Sequence, residues 1–194
     1  MSDRLRPWVR ATFEGWCLGV LLAILGAVLA DSVGIGGAQF MLGLGMGLGV
    51  GWAQQRVLRT WVGPVPWLLA TVTGLSVPFS VGDLLAQTGL DLPYSLPVYV
   101  ALGGLLAGLL QAWTVRENLD RAWAWPILSV LAWSLAAATV GAADALDLVG
   151  LVGALAYLGV VALGGLGLGL VTAPAVQRLR APSPPPRTEP HPSA

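Results

Sequence analysis

The residues of this chain best placed to do chemistry are three polar side chains at one register of a recurring apolar segment: Gln54, Gln111 and Thr172. An amide and a hydroxyl each donate and accept hydrogen bonds, so the three make a candidate polar ring. Two chemistries suit it: a solute or ion site, or hydrogen-bonded packing between helices. Depth favours packing. Gln54 stands five residues from Arg59, about 7.5 Å by helix rise. That is close to a membrane boundary, whereas transporter sites lie near the midplane.

Other groups point less firmly. Asp31, Asp83 and Asp144 each end an apolar stretch. A ring of acids would attract cations, but solvated acids that satisfy a turn are the simpler reading. Glu14 has Arg10 four residues earlier, so an i,i+4 pair outweighs a proton relay at this shallow position. Pro78, one turn after Gly74, is expected to kink its helix, as in gates and in ordinary bundles. Ser76, Ser80, Ser129 and Ser134 have no basic residue nearby to activate them. The only histidine is His191, in the tail, and Cys17 is a lone small packing residue. The expectation is no enzyme, no cofactor and no metal.

The elements that position these residues follow from composition. The chain of 194 residues is 56% hydrophobic and 10% charged, with a mean hydropathy of +0.75. Soluble domains carry about 25% charged residues. This chain cannot cover a soluble surface, so it is expected to be an all-α membrane protein. All ten basic residues are arginines, clustered at Arg4, Arg6 and Arg10, at Arg56 and Arg59, at Arg116 and Arg121, and at Arg178, Arg180 and Arg187. A helical span needs about 20 apolar residues, which gives six: 11–30, 36–55, 66–82, 95–114, 124–142 and 148–173. Arginines resist translocation, so every cluster falls on the cytoplasmic side, with both termini. The opposite turns carry Asp31, Asp83, Asp91, Asp144 and Asp147 without a basic residue.

The aromatic residues agree with this orientation. Trp8, Trp61, Trp67, Trp113, Trp123 and Trp125 lie near the arginine side and Tyr94 and Tyr99 near the acidic side. Both types settle at headgroup level. Trp133 lies inside its span, where it packs or faces lipid. The expected domains are a cytoplasmic segment 1–10, a transmembrane domain 11–175 and a disordered proline-rich tail 176–194. The tail sequence APSPPPRTEPHPSA favours extended chain over a PxxP ligand. A signal-peptide reading, with cleavage after Ala30, competes for the first span. Its apolar run is longer than an ordinary signal core, and cleavage would unpair the second span. The lack of lysine beside abundant Ala, Gly, Leu and Arg suggests a GC-rich bacterial genome and hence a plasma-membrane location. Partners are the lipid bilayer and a second copy or another membrane subunit. Zero net charge offers no nucleic-acid patch.

The polar ring belongs to a repeat of about 55–60 residues. One copy reads Gly47-x3-Gly51-x2-Gln54-x4-Arg59 and the next Gly104-x3-Gly108-x2-Gln111-x4-Arg116. The third, Gly165-x3-Gly169-x2-Thr172, carries Arg178 one place late. On a helix, glycines and glutamine lie within about 60° of one another and the arginine about 120° away. The glycines are therefore helix-packing residues, and Arg59, Arg116 and Arg178 are depth anchors at the arginine-side interface. The alternating glycines from Gly43 to Gly51 lack the strand that a dinucleotide loop needs. Glycines on two faces predict that spans two and six are sandwiched more than span four, where Leu102 and Leu106 occupy the second face. Three hairpins of one orientation imply an axis along the membrane normal. The expected fold is six transmembrane helices as three parallel hairpin repeats, a pseudo-three-fold bundle with its even helices central.

The two intact copies resemble segments of small, multi-pass, largely uncharacterised bacterial membrane proteins with recurring GxxxGxxQ…R helix ends. The resemblance implies a membrane location and no activity. The functional expectation is a non-enzymatic structural or assembly subunit. The alternative is a small-solute or ion transporter, or its substrate-binding membrane component. With Cys17→Ala as background, Thr88→Cys is expected to be labelled by an impermeant maleimide from outside and Asn118→Cys is not. The reverse pattern would overturn the orientation.

Overall fold

A computed structural model describes residues 4–35, 38–90, 96–119, 121–146 and 149–179. The described residues form six helices and no strand: α1 (Leu5–Ser32), α2 (Phe40–Leu58), α3 (Pro64–Gln87), α4 (Leu96–Val115), α5 (Ala124–Ala145) and α6 (Gly150–Gln177). The tail from Ala181, with Asp91, Tyr94 and Asp147, lies outside the described residues. Five helices are long and apolar enough to cross a membrane. The exception is α2, whose 19 residues include five glycines, Gln54, Gln55 and Arg56. Its low hydropathy has a physical reason. Much of its surface meets other helices, so glycine replaces the lipid-facing leucines of a freestanding span. The helix α3 continues through Pro78 to Gln87.

Each helix packs against its neighbours in the chain, and α6 returns to α1. The bundle is a closed ring. This corrects the expectation that the even helices meet in the middle, because α2, α4 and α6 each lie between two odd helices. Small residues set these spacings. A Cβ on Gly45 or Gly49 would overlap the backbone of α1, and one on Gly43 or Gly47 would overlap that of α3. Van der Waals packing drives helix association in lipid, and glycine lets backbones approach closely enough to gain it.

Span four is sandwiched as well, contrary to the reading that set it apart. Its second face is Gly103 and Ala107, not Leu102, which is exposed. Ala107 packs so close to Gly74 of α3 that a Cβ on Gly74 would overlap it. The small residue that the α3–α4 contact needs is thus shared between the partners. Gly104 and Gly108 face Trp133 and Ser129 of α5, while Gly165 and Gly169 face Trp16 and Val9 of α1.

The core has two apolar layers. One, toward the arginine-bearing end, contains Trp8, Trp67 and Trp125 with Leu58, Val115 and Val176. The other contains Trp16 and Trp133 with Val50, Leu75, Ala107 and Leu168. The Trp16 and Trp133 rings stand 5.9 Å apart, so Trp133 packs inside the bundle instead of facing lipid.

Gly49→Ala is expected to lower the stability of the detergent-solubilised protein by about 1–3 kcal/mol or more, because α1 and α2 must separate. Gly159→Ala meets nothing within 4 Å and is expected to be neutral or stabilising by up to about 1 kcal/mol. Thermal denaturation of the two variants checks the contrast, and equal losses would remove the packing explanation.

Candidate functional site

The odd helices each bring a tryptophan to the arginine-bearing end of the ring. Trp8, Trp67 and Trp125 are 0%, 1% and 3% exposed. Their rings meet edge to face, with centroids 6.3, 6.3 and 5.5 Å apart. Such pairs contribute about 0.5–1.5 kcal/mol each beyond area burial. These three rings are therefore a plug within the bundle and not headgroup anchors, which corrects their reading as interfacial residues. Trp113 and Trp123 are exposed and fit the interfacial pattern, as does Trp52, which holds Arg56 over its ring at 3.8 Å.

A buried indole N–H needs an acceptor, because leaving it unpaired costs about 1–3 kcal/mol. The candidate polar ring supplies it. Trp8 Nε1 donates to Thr172 Oγ1 at 2.9 Å, Trp67 Nε1 to Gln54 Oε1 at 3.3 Å and Trp125 Nε1 to Gln111 Oε1 at 2.8 Å. The amide ends are used too. Gln54 Nε2 donates to Thr12 Oγ1 at 3.2 Å and Gln111 Nε2 to Thr71 Oγ1 at 2.9 Å. The Thr71 hydroxyl donates in turn to Trp67 O at 2.8 Å, which joins both glutamines into one network. Thr172 is shorter, donates back to Leu168 O at 2.7 Å, and meets the rest only through the Trp8 ring. Gln54, Gln111 and Thr172 are 3–4% exposed. Chemically the layer can hold helices in register; its described donors and acceptors are turned on one another.

The partners of the ring were legible and went unread. Trp8 and Thr12, Trp67 and Thr71, and Trp125 and Ser129 share one spacing of four residues. That spacing sets an indole one turn below a hydroxyl on the same helix face. Ser129 departs from the threonines by donating to Gly104 O at 2.7 Å, across the α4–α5 contact.

The remaining candidates separate. Arg59, Arg116 and Arg178 are exposed at the helix ends, and Arg116 lies over Trp113 at 4.7 Å. Glu14 pairs with Arg10 at 2.7 Å on the surface. Asp83 accepts the backbone N–H groups of Gln39 at 3.2 Å and Phe40 at 2.8 Å, which caps the start of α2. A carboxylate there also meets the positive end of the helix dipole. Asp144 accepts from the Tyr157 hydroxyl at 3.0 Å. No described backbone or side-chain donor meets the Asp31 carboxylate. Asp83 and Asp144 thus serve different ends, and no described His, Cys, Asp and Glu side chains gather as metal ligands.

One cavity stands out, in the acidic half of the bundle. It measures about 480 Å³ and lies among α1, α2, α5 and α6. Val20, Met46 and Val161 form its floor, and Asp31, Gln39 and Tyr157 supply its polar side chains. Its volume falls in the range of about 300–1,000 Å³ usual for small-molecule sites.

The chain matches no family profile, no curated protein and no solved structure.

A double-mutant cycle between Trp125→Phe and Gln111→Leu is expected to give a coupling energy of about 0.6–1.7 kcal/mol, between the mean and the maximum measured for interhelical hydrogen bonds. Gln111→Leu alone is expected to cost about 1–3 kcal/mol, because it strands the Trp125 indole. Additive single losses in thermal or denaturant unfolding would remove the bond from the account.

Proposed function

We propose that this chain is a non-enzymatic, six-span protein of the bacterial plasma membrane that serves as a structural or assembly subunit. In this reading α2 spans with the other five helices, its glycines matched to α1 and α3. The arginine-bearing end faces the cytoplasm with both termini. The three hairpins are copies of one unit about an axis along the membrane normal. The recurrence of tryptophan with threonine or serine on α1, α3 and α5, each bonded to the polar residue of an even helix, supports that symmetry. The kinship with small multi-pass bacterial proteins remains part of the same proposal.

The observation that carries the reading is the Trp8–Trp67–Trp125 contact. A conducting path down the ring would have to pass three indoles in mutual edge contact. The polar groups beside them are paired with helices and not turned toward a solute. What the bundle then offers to its surroundings is a rigid body with an apolar outer surface. That surface suits association with a second copy or with another membrane subunit.

A second reading, a small-solute or ion transporter or its substrate-binding membrane component, is favoured by one feature, the cavity of about 480 Å³. Two measurements separate the readings. The tagged protein, purified from its native membrane in mild detergent, is expected to run as a homo-oligomer or with a stoichiometric membrane partner by native mass spectrometry. Reconstituted in liposomes, it is expected to pass ions and small solutes no faster than protein-free vesicles. A lone monomer that supports saturable flux would reverse the choice.

A further inference from the structure

The cavity in the acidic half has the form of a cleft open to the side. The helices α1 and α6 approach closely where Gly164, Gly165 and Gly169 meet Trp16, Val9 and Thr12. Toward the acidic end this contact gives way. Ile24 and Leu158, which line the cleft, are 54% and 52% exposed. Two other seams at this end are tied across. Phe79 and Tyr99 stack with centroids 5.5 Å apart between α3 and α4, and Asp83 ties α3 to the start of α2. The cavity at the seam between the first and last helices measures about 480 Å³, against about 250–280 Å³ for three others among the described residues. From Val20 to Asp31 the cleft follows α1 over twelve residues, about 16 Å by helix rise.

Its chemistry is divided by depth. The floor and walls are aliphatic apart from the Met46 thioether. The rim carries the Asp31 carboxylate, which no described group satisfies, and Tyr157, whose hydroxyl holds Asp144 close by. No arginine occurs between Arg10 and Arg56 or between Arg121 and Arg178, the stretches that build the cleft. The rim is therefore negative without a compensating charge, and an aromatic ring stands beside it. A carboxylate and an aromatic face are what recognise ammonium groups. A phosphate at the same rim would be repelled.

We infer that this cleft binds a single-chain amphiphile with a cationic ammonium head, its alkyl chain lying along α1 toward Met46 and Val161 and its head at Asp31 and Tyr157. The occupant enters sideways from the bilayer between Ile24 and Leu158, so it never leaves an apolar environment for its tail. This goes beyond the packing role and does not depend on it, since the tryptophan plug and the cleft occupy different halves of the ring.

Calorimetric titration of the protein in phosphatidylcholine nanodiscs, corrected for empty nanodiscs, tests the inference with three probes of equal chain length below their micellar concentrations. Dodecyltrimethylammonium is expected to bind saturably at one site. Dodecyl maltoside and dodecyl sulfonate are expected to bind at least about tenfold more weakly. Asp31→Asn is expected to weaken the cation about fivefold, as for an exposed ion pair, and to leave the maltoside unchanged. Ala27→Trp, at an exposed position lining the cleft, is expected to abolish saturable binding of the cation. Its unfolding temperature should stay at that of the parent. Equal affinity for the three probes, or cation binding that survives both substitutions in folded protein, would overturn the inference. So would failure of the cation to bind the parent at all.

Discussion

The structure depends on a constraint that lipid imposes on tryptophan. An indole brought into a membrane interior gains packing on every side but carries one N–H that must find an oxygen. Here three indoles are placed together at one level, so three acceptors must be supplied at that level; Trp16, in the other layer, donates to the backbone at Val161 O, 2.9 Å away. Gln54, Gln111 and Thr172 are those acceptors. Once they are fixed, the vertical register of each even helix against its odd neighbour is fixed too. The glycines one and two turns away then come opposite the backbones they must approach. A slip of a single residue would turn the amide away from the indole and bring a leucine against a neighbouring backbone. Bond and close approach therefore specify the same arrangement.

The two glutamines and the threonine solve the problem unequally. Gln111 makes the shorter pair of bonds and Gln54 the longer. Thr172 accepts from Trp8 but reaches no second helix with its own proton, which goes to α6 itself. The third polar position is thus a weaker tie. The cleft opens on the same seam, between the helix that bears Thr172 and the one that bears Trp8. Below the cleft that seam is tied by Trp16 Nε1, which donates to Val161 O at 2.9 Å, and by Arg4, which donates to Leu179 O at 2.9 Å. The α3–α4 contact stays close into the acidic half, with Gly74 against Ala107 and Phe79 stacked on Tyr99.

Much of this was legible in the residues. The apolar lengths placed every helix, and the Gly-x3-Gly-x2-Gln spacing sets glycine and amide on one face with arginine elsewhere. The even helices were misplaced because glycine was read as a signal for helix-to-helix contact at the centre. Glycine marks close approach only, and in a ring the close approaches are lateral. The tryptophans were misread for a related reason. Trp8, Trp67 and Trp125 lie near arginines in sequence, where interfacial residues also lie, and distance along the helix axis does not say which way a ring turns. Their spacing to Thr12, Thr71 and Ser129 was the signal that distinguished them from Trp113 and Trp123. The cleft had no sequence signature. It follows from two helices diverging, and nothing in the order of residues along α1 reports where α6 will be.

The closure of α6 onto α1 has a bearing on biogenesis. Helices enter the bilayer in the order of synthesis, and the first contributes Trp8, Thr12 and Gly15 to faces that the second and last helices complete. Until α6 is inserted, Trp8 has its ring neighbours but lacks the hydroxyl of Thr172. A nascent chain with five helices in place is therefore an open arc with two unsatisfied indoles at its end, those of Trp8 and Trp16, whose acceptors Thr172 Oγ1 and Val161 O both lie on α6. Its maturation is a single late docking event, and a truncated product would present that exposed edge to whatever quality-control machinery inspects helices in the membrane.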